Sequence, residues 1–261
     1  MTQDGPHEIN IENLDAPLFR FYPLWFFQEA LRVRNLALIS PQKWEDPYEF
    51  LPWRVAINRK SGQTFWEDKI RPVYAQCWSG TQESDTLLRA YSRVFKDPHH
   101  NRNVLIREEG VRVGTTARKL IKAILKSRQT FPKDSFYLGR VNYLSPDEIK
   151  QNVANTINKN GENMLFGGLG LANLMLLKRK AFQHEDEYRL LYIEERDIPV
   201  QKIFQVSIEP NEVFDEVTFD PRLEPFERLE REENATRLGF KGEFGKSDLY
   251  QKVFFIVHLP D

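Results

Sequence analysis

The stretch KRKAFQHEDEYRLLY, residues 178–192, sets three consecutive acidic residues before an arginine and an apolar run. The apolar run predicts a strand, whose side chains alternate between two faces. If residues 184–193 are extended, Glu185, Glu187 and Arg189 share one face, and the other face carries His184, Asp186, Tyr188 and Leu190. This pattern favours a surface ion-pair ladder of little energetic weight, and the alternative is a functional carboxylate held in place by its neighbours.

The whole chain has the composition of an ordinary globular protein. Its 261 residues are 41% hydrophobic and 29% charged, which is enough to bury a full core. The single cysteine, Cys77, excludes an internal disulfide and is expected to be a buried, inert thiol. No apolar run is long enough to cross a membrane, and the N-terminal MTQDGPHEIN lacks the features of a secretory signal. We therefore expect a cytoplasmic protein.

Strand and helix patterns are spread over both ends of the chain, after a polar lead-in at residues 1–16. Alternating or continuous apolar runs predict strands at 36–39, 73–78, 104–116, 136–145, 188–194, 204–208, 216–219 and 253–259. Helical periodicity predicts helices within 25–33, 83–95, 117–128 and 146–180, the last around a flexible GGLG at 167–170. Neither half of the chain, taken alone, could cover the apolar faces of its own strands. We therefore predict an α+β fold for residues 17–261, a single domain with a mixed or antiparallel sheet flanked by helices.

The charge is unevenly distributed, although the net charge is only -1. From Arg89 to Arg140 there are 13 Lys and Arg against 4 Asp and Glu, and from Glu185 to Glu233 there are 6 against 16. A basic middle segment indicates either a phosphate-binding surface or a segment that packs against the acidic last third. The order of these segments leaves both alternatives open.

Seven sequence landmarks in order resemble the bacterial family catalogued as domain of unknown function 2971 (DUF2971). Between about Leu18 and Leu249 they are LFRFY, SPQKWEDPYEF, CWSGTQES, LLRAYS, GVRVGTT, LGRVNYLS and KRKAFQHEDEYRL. Two positions depart from the family pattern, since Glu45 replaces the usual asparagine and Leu88 a common tryptophan. Because this family has no assigned activity, the function must be inferred from the chemistry of the residues.

The order of polar residues also resembles that of toxin-type ADP-ribosyltransferases, which use NAD as substrate. On that pattern Arg20 would bind the phosphate or ribose, and Trp78 and Ser79 would position the ribose and nicotinamide. Glu187 would be the essential carboxylate that stabilises cationic charge on the ribose, and Glu185 would orient the acceptor. The resemblance implies an ADP-ribosyltransferase-like fold in which these strand ends converge on one cleft.

A further NAD contact is predicted at Tyr91, whose ring could stack on nicotinamide or could belong to the core. No metal site is predicted, because His184 has no second histidine at ligand spacing.

Two other classes of function stay open. One is a metal-dependent phosphodiesterase or nuclease built from Asp46, Glu185 and Glu187 with Lys178 or Arg189. The other is a non-catalytic module that binds nucleic acid or protein.

The acceptor of ADP-ribose is predicted from a basic helix face. The outer face of the helix at 117–128 carries Arg118, Lys119, Lys122 and Lys126. Such a stripe attracts a polyanion, and nearby aromatics could stack on bases. This favours nucleic acid over a protein acceptor, in a bacterial defence or toxin context, unless the acidic last third covers the stripe.

Overall fold

The computed structural model of the chain describes residues 5–60, 62–65, 67–129, 131–251, 253–254 and 256–258. Its strands are β1 His7–Ile9, β2 Pro17–Pro23, β3 Asn35–Ile39, β4 Ala56–Arg59, β5 Gly62–Phe65, β6 Val73–Ser79, β7 Gly110–Thr116, β8 Phe136–Arg140, β9 Asn142–Leu144, β10 Leu177–Arg179, β11 Glu187–Ile193, β12 Ile203–Ser207, β13 Glu216–Phe219 and β14 Glu243–Phe244.

The α-helices are α1 Leu24–Val33, α2 Asp85–Tyr91, α3 Ala117–Lys126, α4 Pro146–Asn160, α5 Gly168–Leu174, α6 Pro210–Val213 and α7 Pro225–Arg237. Short 3-10 helices cover Pro41–Lys43, Pro47–Arg54, Glu67–Lys69, Ile106–Glu108, Lys133–Ser135, Glu162–Leu165 and Lys180–Glu185. Within the described residues, no helix has the length and apolar character needed to span a bilayer.

Helix boundaries follow from local chemistry, as α1 and α3 illustrate. Helix α1 buries Leu24, Phe27 and Leu31, which lie on one helical face, and it ends where Arg34 turns left-handed with φ 57°. Helix α3 starts at Thr116, whose hydroxyl accepts a hydrogen bond of 3.3 Å from the Lys119 backbone N–H. Its apolar face points to the core, so the opposite face, called the α3 stripe, faces outward with Arg118, Lys119, Lys122 and Lys126.

Ten strands form one mixed sheet in the order β1-β8-β11-β6-β2-β7-β13-β14, to which β3 and β12 are joined through β6. The β1–β8 and β13–β14 pairs are parallel, and the other pairs in this sheet are antiparallel. Strands from both halves of the chain therefore alternate in one sheet. Two small sheets, β9–β10 and β4–β5, lie beside it.

Strand β6 meets two partners on one of its edges, at two separate points. Ser79 lies opposite Phe19 of β2, and Ala75 lies opposite Ile39 of β3. Between these points the Gln76 side chain donates a hydrogen bond of 3.1 Å to the Ala37 carbonyl. The sheet therefore forks at the middle of β6, and the gap is bridged by a side chain instead of a backbone ladder.

The core lies on both faces of the sheet, because β11 is buried on both. Leu190 and Tyr192 belong to a large apolar cluster that includes Phe27 of α1 and Leu120 of α3. Leu191 and Ile193 face a second cluster, which includes residues of α5. A strand buried on both sides reads as a continuous apolar run, as YRLLYI does.

The α+β class with a mixed sheet flanked by helices is confirmed. Several local predictions differ, among them the strand predicted at 104–116, of which only Gly110–Thr116 forms a strand. Residues 7–9 of the polar lead-in form β1, which pairs with β8. The GGLG at 167–170 leads into helix α5. Of the strand predicted at 253–259, residues 253–254 and 256–258 form no strand, and the remainder lies outside the described residues. The division into a lead-in and one domain stays a prediction.

Candidate active site

A cavity of about 290 Å³ opens where the sheet forks, and we call it the fork cavity. It is enclosed by β2, α1, β3, β6 and the end of α2. The residues with polar or aromatic side chains that matter here are Arg20, Trp44, Gln76, Cys77, Trp78 and Tyr91. Three of the residues predicted from the sequence, Arg20, Trp78 and Tyr91, thus line one cavity.

Arg20 is the cation of the fork cavity. Its guanidinium lies 4.8 Å from the centroid of the Tyr22 ring, which holds it against the cavity wall. Among the described residues it has no carboxylate partner. An arginine in this state is available to bind an anionic group such as a phosphate.

Two aromatic residues form further walls of the fork cavity. Trp78 is only 2% exposed, and its indole N–H donates a hydrogen bond of 3.1 Å to Gln76 Oε1. Tyr91 is 47% exposed, so its ring is not a core residue. Desolvation of its hydroxyl raises the Tyr91 pKa. Trp78 and Tyr91 therefore give the fork cavity aromatic walls beside Arg20.

Ser79 is buried and does not line the fork cavity. Its hydroxyl donates a hydrogen bond of 2.5 Å to the backbone carbonyl of Glu185 and accepts one of 3.0 Å from the Thr81 N–H. The hydroxyl proton and one of its two lone pairs are thus used on the protein itself. The geometry assigns Ser79 to positioning the Glu185 turn, whereas the sequence pattern placed it on the ribose.

On the other side of β6 lies a charged cluster of five residues, Glu49, Lys178, Glu185, Glu187 and Arg189. Lys178 Nζ lies 2.6 Å from Glu185, 2.9 Å from Glu187 and 3.0 Å from Glu49. Arg189 donates to Glu187 through Nε at 2.8 Å, and it also pairs with Glu49. Three carboxylates share two cations, so the cluster holds one surplus negative charge.

The charged cluster is fixed by contacts around its edge. The Arg189 guanidinium lies 4.7 Å from the Trp44 ring centroid and donates a hydrogen bond of 2.6 Å to the Met175 carbonyl. The Glu187 backbone N–H donates one of 2.8 Å to the Tyr143 hydroxyl. Trp44 also lines the fork cavity, as does Cys77, which contacts Glu187. Trp44 and Cys77 therefore separate the charged cluster from the fork cavity by one layer of side chains.

The two acidic residues predicted as functional have opposite pKa shifts. Burial alone would raise the pKa of Glu187, but the charges and hydrogen bonds of Arg189 and Lys178 outweigh it and lower the pKa to about 2. Burial raises the pKa of Glu185, and Lys178 offsets this only in part. A carboxylate that stays ionised therefore lies beside one that takes up a proton more readily.

The ion-pair ladder favoured from the sequence is wrong in two respects. Glu187 and Arg189 do share a strand face, but they are 3% and 0% exposed, so they do not lie on the surface. Glu185 is not on the strand, because the 3-10 helix Lys180–Glu185 and a left-handed Asp186 with φ 39° precede β11. Its carboxylate reaches Lys178 from the turn.

Sequence reasoning missed Glu49 as a member of the site. It lies in the 3-10 helix Pro47–Arg54 and is 9% exposed. The signal was present, because a glutamate inside the apolar stretch PYEFLPW must find a cation if it is buried. The partner, Arg189, is 140 residues away and could not be paired with it from sequence.

The geometry also bears on the phosphodiesterase alternative. Glu185 and Glu187 converge on the Lys178 ammonium, while Asp46 lies 3.1 Å from Arg179. The part of the chain that the structure describes contains no group of three or more His, Cys, Asp or Glu arranged to hold a metal ion. The Lys178 ammonium therefore occupies the place between Glu185 and Glu187 that the metal ion of a phosphodiesterase would need.

The α3 stripe is largely paired with acids. Arg118 lies 2.6 Å from Asp15, Lys126 lies 2.7 Å from Glu212, and Lys119 pairs with Asp215. Two of these acids, Glu212 and Asp215, belong to the acidic last third of the chain. This agrees with the alternative in which that segment packs against the basic middle segment. The pairs are exposed, and exposed pairs contribute little energy, so a polyanion could still exchange with them.

Comparison with known proteins gives solved structures with a similar course of the chain. The DarT of Thermus sp. 2.9 in complex with ADP-ribosylated ssDNA matches with a TM-score of 0.40 and 10% identity, over 92% of this chain and 96% of that one. Its complex with NAD+ matches with a TM-score of 0.40 and 10% identity, over 91% and 97%. Its complex with carba-NAD+ gives 0.38 and 10%, over 89% and 95%.

No protein-family model matches the chain, and no curated protein matches its sequence. The resemblance to domain of unknown function 2971 therefore stays a prediction. A structural similarity of this size does not assign an activity, so the function proposed below is inferred from the residues of the site.

Proposed function

We propose that the protein is an NAD-dependent ADP-ribosyltransferase-like enzyme whose fork cavity takes the nicotinamide ribose of NAD. One observation carries the proposal. Arg20, Trp78 and Tyr91 line the fork cavity. Two further wall residues, Trp44 and Cys77, also contact Arg189 and Glu187 of the charged cluster. A cation for a phosphate thus lies in an aromatic-walled space, and a cluster with surplus negative charge lies one layer of side chains behind its wall.

The size of the cavity suits a part of the dinucleotide. Its volume of about 290 Å³ lies near the lower end of the roughly 300–1,000 Å³ typical of small-molecule sites. Nicotinamide and its ribose would lie between Trp78 and Tyr91. Arg20 would bind the adjacent phosphate by charge-assisted hydrogen bonds.

The chemical step is cleavage of the bond between ribose C1′ and the nicotinamide nitrogen. The bonding electron pair leaves with nicotinamide, which departs neutral, and the ribose becomes oxocarbenium-like. The charged cluster stabilises that cation through its surplus negative charge, which Glu187 keeps ionised because its pKa is about 2. The ordered buried charges are already in place and need no reorganisation during the reaction.

Transfer is completed when a nucleophile of the acceptor, or water, forms a new bond to C1′ and loses its proton. Glu185, the more basic of the two carboxylates because its pKa is raised, would receive that proton through a water molecule, since it does not line the fork cavity. Ser79 holds the Glu185 backbone in position through the 2.5 Å hydrogen bond. The acceptor is proposed to be nucleic acid bound on the α3 stripe, with a protein acceptor as the other outcome of the test.

The proposal is tested by incubating the protein with NAD in EDTA and measuring nicotinamide release chromatographically, with NAD binding followed by calorimetry. Replacing Arg20 by alanine should raise KM for NAD by at least about tenfold, because a phosphate loses its cation. The matched control is Arg93→Ala, since Arg93 is an exposed arginine that pairs with Glu108 at 3.4 Å and does not line the fork cavity. Failure to bind NAD, or turnover that requires a divalent metal, would contradict the proposal.

A further inference from the structure

A second ligand site lies between α1 and α7, outside the fork cavity. The groove there has a volume of about 510 Å³, and we call it the α1–α7 groove. The lining residues that matter are Trp25, Gln28, Arg107, Arg231, Asn234 and Arg237. We propose that this groove binds a nucleoside phosphate.

The cationic side of the groove is available to an anion. Arg107 and Arg237 are exposed, and neither guanidinium has an ion-pair or hydrogen-bond partner among the described residues. Many other arginines of this chain pair with a carboxylate, so two unpaired guanidinium groups at one groove form a distinctive feature. Arginine suits phosphate oxygens because its planar fork donates two parallel hydrogen bonds.

Acidic groups at the groove do not neutralise these two arginines. Glu230 lines the groove, but its carboxylate lies 3.0 Å from Arg231 and also pairs with Arg102. Arg231 is buried and donates two hydrogen bonds of 2.8 Å to Glu109. The positive charge of Arg107 and Arg237 therefore remains for a ligand.

An aromatic surface lies beside the cations. Trp25 is 49% exposed, and its ring stacks on Phe26 with centroids 3.6 Å apart. Both residues lie in the first turn of α1, next to the buried Leu24, and so point away from the core. An exposed, stacked indole presents a flat face on which a planar base can stack.

Two side-chain amides complete the recognition chemistry. Gln28 Nε2 donates a hydrogen bond of 3.2 Å to Asn234 Oδ1, which joins α1 to α7. This bond leaves the Gln28 carbonyl oxygen as an acceptor and the Asn234 amide N–H groups as donors. Such a pair of groups matches the hydrogen-bonding edge of a nucleobase. The two arginines therefore suit the phosphate of the ligand, and the indole face and the two amides suit its base.

The groove is separate from the fork cavity, although both use α1. The fork cavity is lined by Phe26, Glu29 and Ala30, and the α1–α7 groove by Trp25 and Gln28. The proposed nucleoside phosphate would therefore have a site of its own, and this inference stands if the enzymatic proposal fails.

The test is calorimetric titration of AMP into the Arg20→Ala protein, in which the fork cavity lacks its cation. AMP should bind, and the further change Arg107→Ala with Arg237→Ala should weaken binding by at least about tenfold. Trp25→Ala should weaken it as well, and adenosine or inorganic phosphate alone should bind more weakly than AMP. The matched control, Arg32→Ala in the same background, should bind AMP as before.

Two results would overturn the inference. One is the absence of AMP binding at low ionic strength, and the other is binding that persists unchanged without Arg107 and Arg237. Competition by a single-stranded oligonucleotide then identifies the source of the ligand. Displacement of AMP indicates a nucleotide within a strand, and no displacement indicates a free nucleotide; either result supports the site.

Discussion

The hydroxyl of Ser79 donates a hydrogen bond of 2.5 Å to the backbone carbonyl of Glu185, which links the end of β6 to the turn before β11. Ser79 also lies opposite Glu187 in the β6–β11 ladder. One small residue thus fixes the position of both acidic residues of the proposed site, without contacting the fork cavity itself.

Replacing Ser79 by alanine should therefore lower kcat for NAD turnover by about tenfold while KM changes little. The lost hydrogen bond loosens the Glu185 turn, at a cost of about 1 kcal/mol in unfolding free energy. Steady-state kinetics and thermal melting measure the two effects. Ser79→Thr keeps the hydroxyl and should restore kcat; if the threonine variant is as slow as the alanine variant, the hydroxyl does not position the turn.

Glu187→Gln should lower NAD turnover by at least about a hundredfold, because the charged cluster loses its surplus negative charge. It should also lower stability, since Arg189 and Lys178 each lose a partner. The matched control is Glu194→Gln, another buried carboxylate beside β11, which pairs with Arg196 at 2.8 Å. That control should lose stability but keep turnover. Wild-type turnover in the Glu187 variant would make the residue purely structural.

Acid unfolding should reveal the lowered pKa of Glu187. Its pKa is about 2 in the folded protein and 4.5 for an ordinary glutamate, so the ionised form stabilises the fold above pH 4.5. This contribution is lost as the pH falls from 4.5 towards 2, because the unfolded chain binds the proton first. Equilibrium unfolding across this range should show a steeper loss of stability for the wild type than for Glu187→Gln. Parallel curves for the two proteins would contradict the shift.

Glu185 should govern the pH dependence of transfer. Because its pKa is raised, the carboxylate becomes protonated as the pH falls through a value above that of an ordinary glutamate, and the proton acceptor is then lost. The rate of transfer to the acceptor should therefore decrease on the acidic side. Glu185→Gln should remove this limb of the pH–rate profile and reduce transfer more than NAD hydrolysis. An unchanged profile would assign the proton to another group.

Binding of single-stranded nucleic acid to the α3 stripe should weaken steeply as salt rises, because phosphate contacts release counterions. Lys119→Glu combined with Lys122→Glu should abolish most of the affinity. The control replaces Arg32 on α1 by glutamate, which changes surface charge away from the stripe. Binding that is absent at low salt, or indifferent to the two lysines, would leave a protein or a small molecule as the acceptor.

The sequence alone determined the class of fold, and it predicted three of the residues that line the fork cavity. The α+β class follows from periodicity, because apolar runs such as YRLLYI and the amphipathic face of α3 are local patterns that packing preserves. Residue type and strand order selected Arg20 and Trp78, and Tyr91 was selected as an aromatic on the helix that follows. All three line the fork cavity.

Only the tertiary structure decided which charged residues are buried and which of them form ion pairs. Sequence favoured a surface ladder at Glu187 and Arg189, whereas the fold buries both and adds Glu49 from a distant 3-10 helix. The physical reason is that side-chain alternation is set by neighbours along the chain, while burial and ion pairing depend on contacts between segments far apart in sequence. The fork at β6 likewise exists because β2 and β3 meet one strand edge at two points, which no local pattern encodes.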